Sequence, residues 1–84
     1  MKLSYKNITE EVYALLKEEI AKIGVEIEGD KGDITTKGIR GRFDRNPEDN
    51  TLEIVLDRTP FVMPKTFVAG QISKTVTKVG GDLA

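Results

Sequence analysis

The first extended periodicity along the chain is helical. Ile8, Val12, Leu15, Leu16, Ile20 and Ile23 fall on one face at a spacing of about 3.6 residues, with Glu10, Glu11, Lys17, Glu18 and Lys22 around the rest of the wheel. This predicts a helix from Thr9 to Ile23. Thr9 caps its first turn, Ile8 staples onto Tyr13, and Glu10 and Glu11 lie where the helix dipole favours negative charge. Gly24 stops it. The period then shortens: Val25 and Ile27 alternate with Glu26 and Glu28, the pattern of a strand with one wet face. Gly29-Asp30-Lys31-Gly32-Asp33 has turn chemistry and predicts a hairpin.

The second strand, roughly Ile34 to Arg45, contains a parity conflict, because Ile34 is an even position and Ile39 and Phe43 are odd. One extra residue must be absorbed for all three to face inward, and Gly38 beside Lys37 is the expected β-bulge. Asn46-Pro47-Glu48-Asp49-Asn50 forms the next turn. Leu52, Ile54 and Leu56 then alternate with Glu53, Val55 and Asp57 in a third strand. With Phe43 inward opposite Leu52 or Ile54, Arg42 or Arg40 is expected directly across from a carboxylate on the outer face. Two prolines in Pro60-Phe61-Val62-Met63-Pro64 break the ladder and make a connection. Beyond it, Val68, Ile72, Val76 and Val79 form a helical stripe, with Pro64 suited to the first turn and Gly80-Gly81 to the stop. Thr66, Gly70, Thr75 and Thr77 are poor helix formers, so Gln71 to Val79 also reads as an extra strand.

These elements predict one α+β domain over residues 1–84 in the order α-β-β-β-α: a three-stranded antiparallel meander with both helices packed on one face. The expected core is Val12, Leu15, Leu16, Ile20, Ile23, Val25, Ile27, Ile39, Phe43, Leu52, Ile54, Leu56, Val68, Ile72 and Val76.

Composition narrows the chemistry. With no cysteine and no histidine, the chain offers no disulfide, thiolate nucleophile, Cys/His zinc site or imidazole base. Carboxylates, lysines, hydroxyls and tyrosines remain, and each needs its pKa moved before it works near neutrality. A balance of 13 basic against 14 acidic residues gives a net charge of −1, which supplies no general attraction to a phosphate backbone. Apolar runs are far too short for a membrane span, and Met1 to Lys6 lacks a signal-peptide core, so a cytoplasmic, non-enzymatic protein without a cofactor is expected. A chain of 84 residues buries little core, which makes a protein partner or a homodimer an expected complement.

Four groups of residues are candidates for function. Lys37-Gly38-Ile39-Arg40-Gly41-Arg42 resembles the Gly-x-x-Gly loop of KH domains, and Lys37, Arg40 and Arg42 are the candidate contacts to single-stranded RNA. In KH domains that loop joins two helices, whereas this one lies in a strand pattern, where a bulge with ion pairs explains the same residues. Asp44 to Asn50 alternates oxygen ligands, but Asp49 and Val55 stand where a calcium loop needs glycine and glutamate, so a solvated turn is expected. The carboxylate pairs Glu26 with Glu28 and Asp30 with Asp33 read as exposed, with nothing to raise a pKa. The fourth group is Phe61, Val62, Met63 and Phe67, three large apolar residues in a connection and one just beyond it. Either they close the open end of the core, or they form a surface for an apolar ligand, a hydrophobic surface or a second protomer. Ala69 and Gly70 would let another backbone come close.

The order helix, Gly-Asp turn, strand with Gly38-Ile39-Arg40-Gly41, acidic turn, strand ending in Leu56, Pro60-Phe61 and final amphipathic helix resembles the small bacterial polyhydroxyalkanoic acid system proteins, from about Ile8 to Val79. Val62-Met63-Pro64 and the threonine-rich last helix depart from that family's pattern. The resemblance implies a non-enzymatic accessory protein associated with polyhydroxyalkanoate storage granules, a helix-grip-like sheet wrapped on a helix, and no catalytic residues to carry over. The expected function is therefore a non-catalytic binding or assembly module acting through Phe61 to Phe67 or a sheet edge. The alternative is a carrier of an apolar ligand held between sheet and last helix by Phe43, Leu56, Phe61 and Phe67.

Overall fold

The computed structural model describes residues 1–22, 26–36 and 38–84. In chain order the elements are β1 (Lys2–Lys6), α1 (Glu10–Lys22), β2 (Lys31–Thr36), β3 (Ile39–Asn46), β4 (Thr51–Arg58), α2 (Lys65–Lys78) and β5 (Asp82–Leu83). The five strands form one antiparallel sheet in the order β2-β3-β4-β1-β5. The α+β class, the antiparallel sheet and the two helices stand, but the element order is β-α-β-β-β-α-β and the sheet has five strands where a three-stranded meander was expected. One face is buried: Tyr5, Ile34, Ile39, Phe43, Leu52, Ile54 and Leu56 share a single core with Leu16 and Ile20 of α1 and Val68, Ala69 and Val76 of α2. The other face carries Lys2, Lys31, Asp33, Arg42, Asp44 and Glu53 in the open.

α1 starts as its sequence demands. The Thr9 carbonyl accepts the first helical bond from the Tyr13 N–H at 2.8 Å, and the Thr9 hydroxyl accepts the Val12 N–H at 3.3 Å. Its buried residues are Tyr13, Leu16 and Ile20, so the inward stripe is rotated from the expected one, and Leu15 is 48% exposed. Tyr13 turns the helix because its ring is apolar and its hydroxyl has a partner, donating to the Gly29 carbonyl at 2.7 Å. Ile23, Gly24 and Val25, where the helix stop and the start of the first strand were expected, lie outside the described residues. Glu26 to Glu28 form no strand, although Ile27 is buried. α2 is a helix and not an extra strand; Pro64 occupies its N-cap position and Gly80 follows its end at φ +107°.

The parity conflict resolves by a turn. The expected second strand is two strands: Thr36 pairs with Ile39 around a hairpin whose Gly38 sits at φ +82°, and Ile34 meets Gly41 on the same inward face. Most of the expected Gly29–Asp33 turn is instead the start of the edge strand β2, where charge and glycine are well tolerated. Gly32 leaves a gap on the inward side that the Phe43 ring fills, 3.4 Å from where a Cβ would stand. The irregularity expected at Gly38 falls between Arg40 and Gly41, on the side that faces β4: Gly41 pairs with Leu56 and Arg40 with Arg58, so Asp57 is the extra residue. Phe43 lies opposite Ile54 as expected, but Arg42 then faces Val55 and Arg40 faces Arg58, so β4 supplies no carboxylate to either. The carboxylate beside Arg42 is Asp33 on β2.

Among the described residues one cation is buried. Arg45 is 5% exposed; its Nε and Nη2 both donate to the Ile8 carbonyl, at 3.2 and 3.1 Å, and its Nη1 lies 3.5 Å from Asp30 Oδ1. Its guanidinium sits 5.0 Å from the centre of the Tyr13 ring. Burial, aided by the Asp30 charge and opposed by Arg45, pushes the Tyr13 phenol from 10.0 up to about 12. Burial also raises Tyr5, against the bond it shares with Ser73. A phenol raised in the folded state supports folding fully below its ordinary value and loses that support as pH rises through the folded one. Unfolding free energy is therefore expected to fall between pH 10.0 and about 12, and to fall less steeply in Tyr13→Phe. Urea titrations across that range check this, and equal slopes in both proteins contradict it.

Candidate interaction surface

The connection from β4 to α2 is built on two prolines. The Met63 N–H donates to the Pro60 carbonyl at 2.9 Å, closing a β-turn with Phe61 and Val62 at its two corners. Such corners normally carry Gly, Pro, Asn, Asp or Ser. Here Phe61 is fully exposed and Val62 is 82% exposed. Met63 packs against the core at the base of the turn, and Val68 and Ala69 bury the first turns of α2. The turn is thus anchored from below while its apex points to solvent. Phe67, one turn into α2, is 53% exposed. The four expected residues form one surface segment in which Met63 is the anchor; Phe61 and Val62 do not close the core. α2 begins without a side-chain cap and without an acidic residue in its first turn, leaving the positive end of its dipole uncompensated.

The glycine-rich basic string separates into structural parts. Gly38 makes the hairpin turn, and a Cβ there would stand 3.0 Å from Pro60 Cγ, which places this hairpin beside the base of the Pro60 turn. Gly41 meets the β4 backbone. Lys37 lies outside the described residues. Arg40 and Arg42 are exposed on the open face of β3, not on a loop between helices. Across that face one row reads Asp33, Arg42, Val55, Lys2, another Lys31, Asp44, Glu53, Ser4, and a third Thr35, Arg40, Arg58. The third row lies at the sheet end from which the Pro60 connection departs.

The remaining candidates do not converge. In the Asn46–Asn50 turn the Asn46 side-chain oxygen accepts the N–H groups of Glu48 and Asp49 at 2.9 and 3.4 Å, an ordinary Asx turn. Glu26, Glu28, Asp30 and Asp33 are exposed. Among the described residues no three metal-ligating side chains come together. Of the four residues assigned to a carrier, Phe43 and Leu56 are buried in the core, whereas Phe61 is fully exposed and Phe67 half exposed. A shallow depression of about 360 Å³ has Lys31, Asp33, Arg42, Asp44, Glu53 and Val55 around it, charges of both signs on the open face.

Missed in the sequence were β1, an interior strand of the sheet, the short edge strand β5 and the buried Arg45. Leu3 and Tyr5 alternate with Lys2, Ser4 and Lys6, a short strand signal in plain view. Arg45 shares the parity of Ile39 and Phe43, which points it inward, a signal that its charge overrode. No helix among the described residues is long and apolar enough to cross a membrane. Comparison of the chain with known protein families, curated proteins and solved structures finds no match.

Proposed function

We propose that this chain is a non-catalytic binding and assembly module whose working surface is the Phe61–Phe67 segment. The observation that carries the reading is the pair of apolar side chains at the corners of the Pro60 turn, exposed where polar residues are the rule. The buried groups with a capacity for chemistry support it, since Tyr5, Tyr13 and Arg45 are each committed to a partner within the fold. Two copies pair edge to edge through β2, which has a neighbour on one side only, and sedimentation then reads a homodimer. On the resemblance to polyhydroxyalkanoic acid system proteins, the module is a bacterial, cytoplasmic accessory protein acting at storage granules.

A polarity-sensitive, lipid-like dye tests the working surface. Wild-type protein is expected to enhance its fluorescence, and Phe61→Ser/Val62→Ser to lose most of that signal with an unchanged circular dichroism spectrum. Saturable uptake of one dye per monomer that survives the double substitution overturns the surface reading in favour of a carrier for an apolar ligand between sheet and α2.

A further inference from the structure

The apolar turn has a charged collar. Arg40 and Arg58 stand directly opposite each other on adjacent strands at the sheet end that leads into Pro60. Like charges so placed repel unless an anion lies between them. Thr35 is the neighbour of Arg40 on the other side, and among the described ion pairs none joins Arg40 or Arg58 to a carboxylate. Asp57, the extra residue of the bulge, is exposed beside them and pairs with neither. Lys65 opens α2 immediately after Pro64, and Lys74 follows Phe67 on the same exposed stripe through Gly70 and Gln71.

Charge is also segregated along the chain. From Arg58 to Gly81 the residues Arg58, Lys65, Lys74 and Lys78 are basic and none is acidic; nine basic and fourteen acidic residues remain elsewhere, a net of −5. In a protein of net charge −1, the segment that builds the exposed apolar apex thus carries basic residues alone, of which Lys78, at the far end of α2, is paired with Glu19. Apolar side chains projecting beyond a basic collar match the boundary between acyl chains and anionic headgroups. A branched aliphatic residue beside the aromatic one at the apex adds apolar depth and offers nothing to a base edge, which favours lipid over nucleic acid.

We propose that this end of the molecule docks on an anionic lipid surface, Phe61 and Val62 entering the apolar boundary while Arg40, Arg58 and Lys65 meet the headgroup phosphates. The proposal rests on the reading of Phe61–Phe67 as the working surface and names what that surface meets.

Flotation of the full chain with vesicles tests it. Binding is expected to phosphatidylcholine vesicles containing phosphatidylserine and not to phosphatidylcholine alone, and to weaken as salt rises. Phe61→Ser/Val62→Ser is expected to lower affinity on the order of tenfold or more. Arg40→Gln and Arg58→Gln each lower it roughly fivefold. These side chains are exposed, so an unchanged thermal midpoint confirms that each variant is folded. Equal binding to both vesicle types, binding that survives the apex substitutions, or binding to neither overturns the proposal. So does retention of a single-stranded oligonucleotide without vesicle binding, which assigns the collar to nucleic acid. If dye fluorescence still depends on Phe61 and Val62 while vesicles are ignored, the lipid partner falls and the working surface stands; if neither readout depends on them, both fall.

Discussion

Gly41→Ala is expected to be the most damaging added methyl among the described glycines. A Cβ at this position would collide with the Val55 carbonyl oxygen and approach the Val55 carbonyl carbon and Leu56 Cα at 3.2 and 3.3 Å. All three are backbone atoms in the middle of the sheet, so no flexible side chain can give way. β4 crowds Gly41 because the register shift beside Arg40 draws Val55 and Leu56 across its inward face. Overpacking of this kind costs about 3 kcal/mol, a large part of the roughly 5–10 kcal/mol that holds a domain of this size together. Thermal unfolding should report a midpoint lowered by roughly 12–24 °C. Gly70→Ala is the internal control: its Cβ meets open space within a helix, and the change should be neutral or stabilise by about 0.5–1 kcal/mol. A Gly41→Ala midpoint within a few degrees of wild type would mean that β4 can move aside and that the register shift is soft.

Arg45→Met should rank next. The methionine fills much of the same volume, yet the Ile8 carbonyl loses both of its guanidinium donors and stays buried. An orphaned buried acceptor, together with the lost contact on the Tyr13 ring, costs about 2–4 kcal/mol. Arg45→Lys should recover little, because a single ammonium does not reproduce the fork that reaches both Ile8 and Asp30. Asp30→Asn should cost well under about 1 kcal/mol, since that carboxylate is half exposed and its ion pair is screened. Urea midpoints separate the two contributions: if Asp30→Asn destabilises as much as Arg45→Met, the ion pair and not the carbonyl is what Arg45 secures.

These two residues also mark where sequence reasoning stops. Leu52, Ile54 and Leu56, or Val68 and Val76, are legible because burial repeats with the period of the element that carries it. Gly41 was legible as a glycine and not as a contact, since its reason is the carbonyl of a residue on the next strand. Arg45 shares the inward parity of Ile39 and Phe43, but an arginine near a strand end has a stem long enough to carry its charge to solvent, so its burial was not legible. β2 was misassigned for a related reason: Lys31, Gly32 and Asp33 have turn composition, and only the Phe43 ring from the neighbouring strand makes Gly32 acceptable in a sheet. At the candidate surface, the unusual residues Phe61 and Val62 were legible from composition. Their exposure was not, because a connection between prolines can fold under the core as easily as away from it, and here it is Met63 that packs against the core while Phe61 and Val62 face solvent. The pairing of Arg40 with Arg58 depended on one extra residue in β4 that no local pattern announced.

The position of β1 bears on how the chain acquires its shape. This strand precedes in the chain both strands it pairs with, β4 on one side and β5 on the other. During synthesis Leu3 and Tyr5 must therefore wait for most of the chain to emerge, which makes sheet completion a late and non-local event. Until then this short strand is open to pairing with other nascent chains, and Lys2 and Lys6 at its two ends place a positive charge on each flank to discourage that encounter.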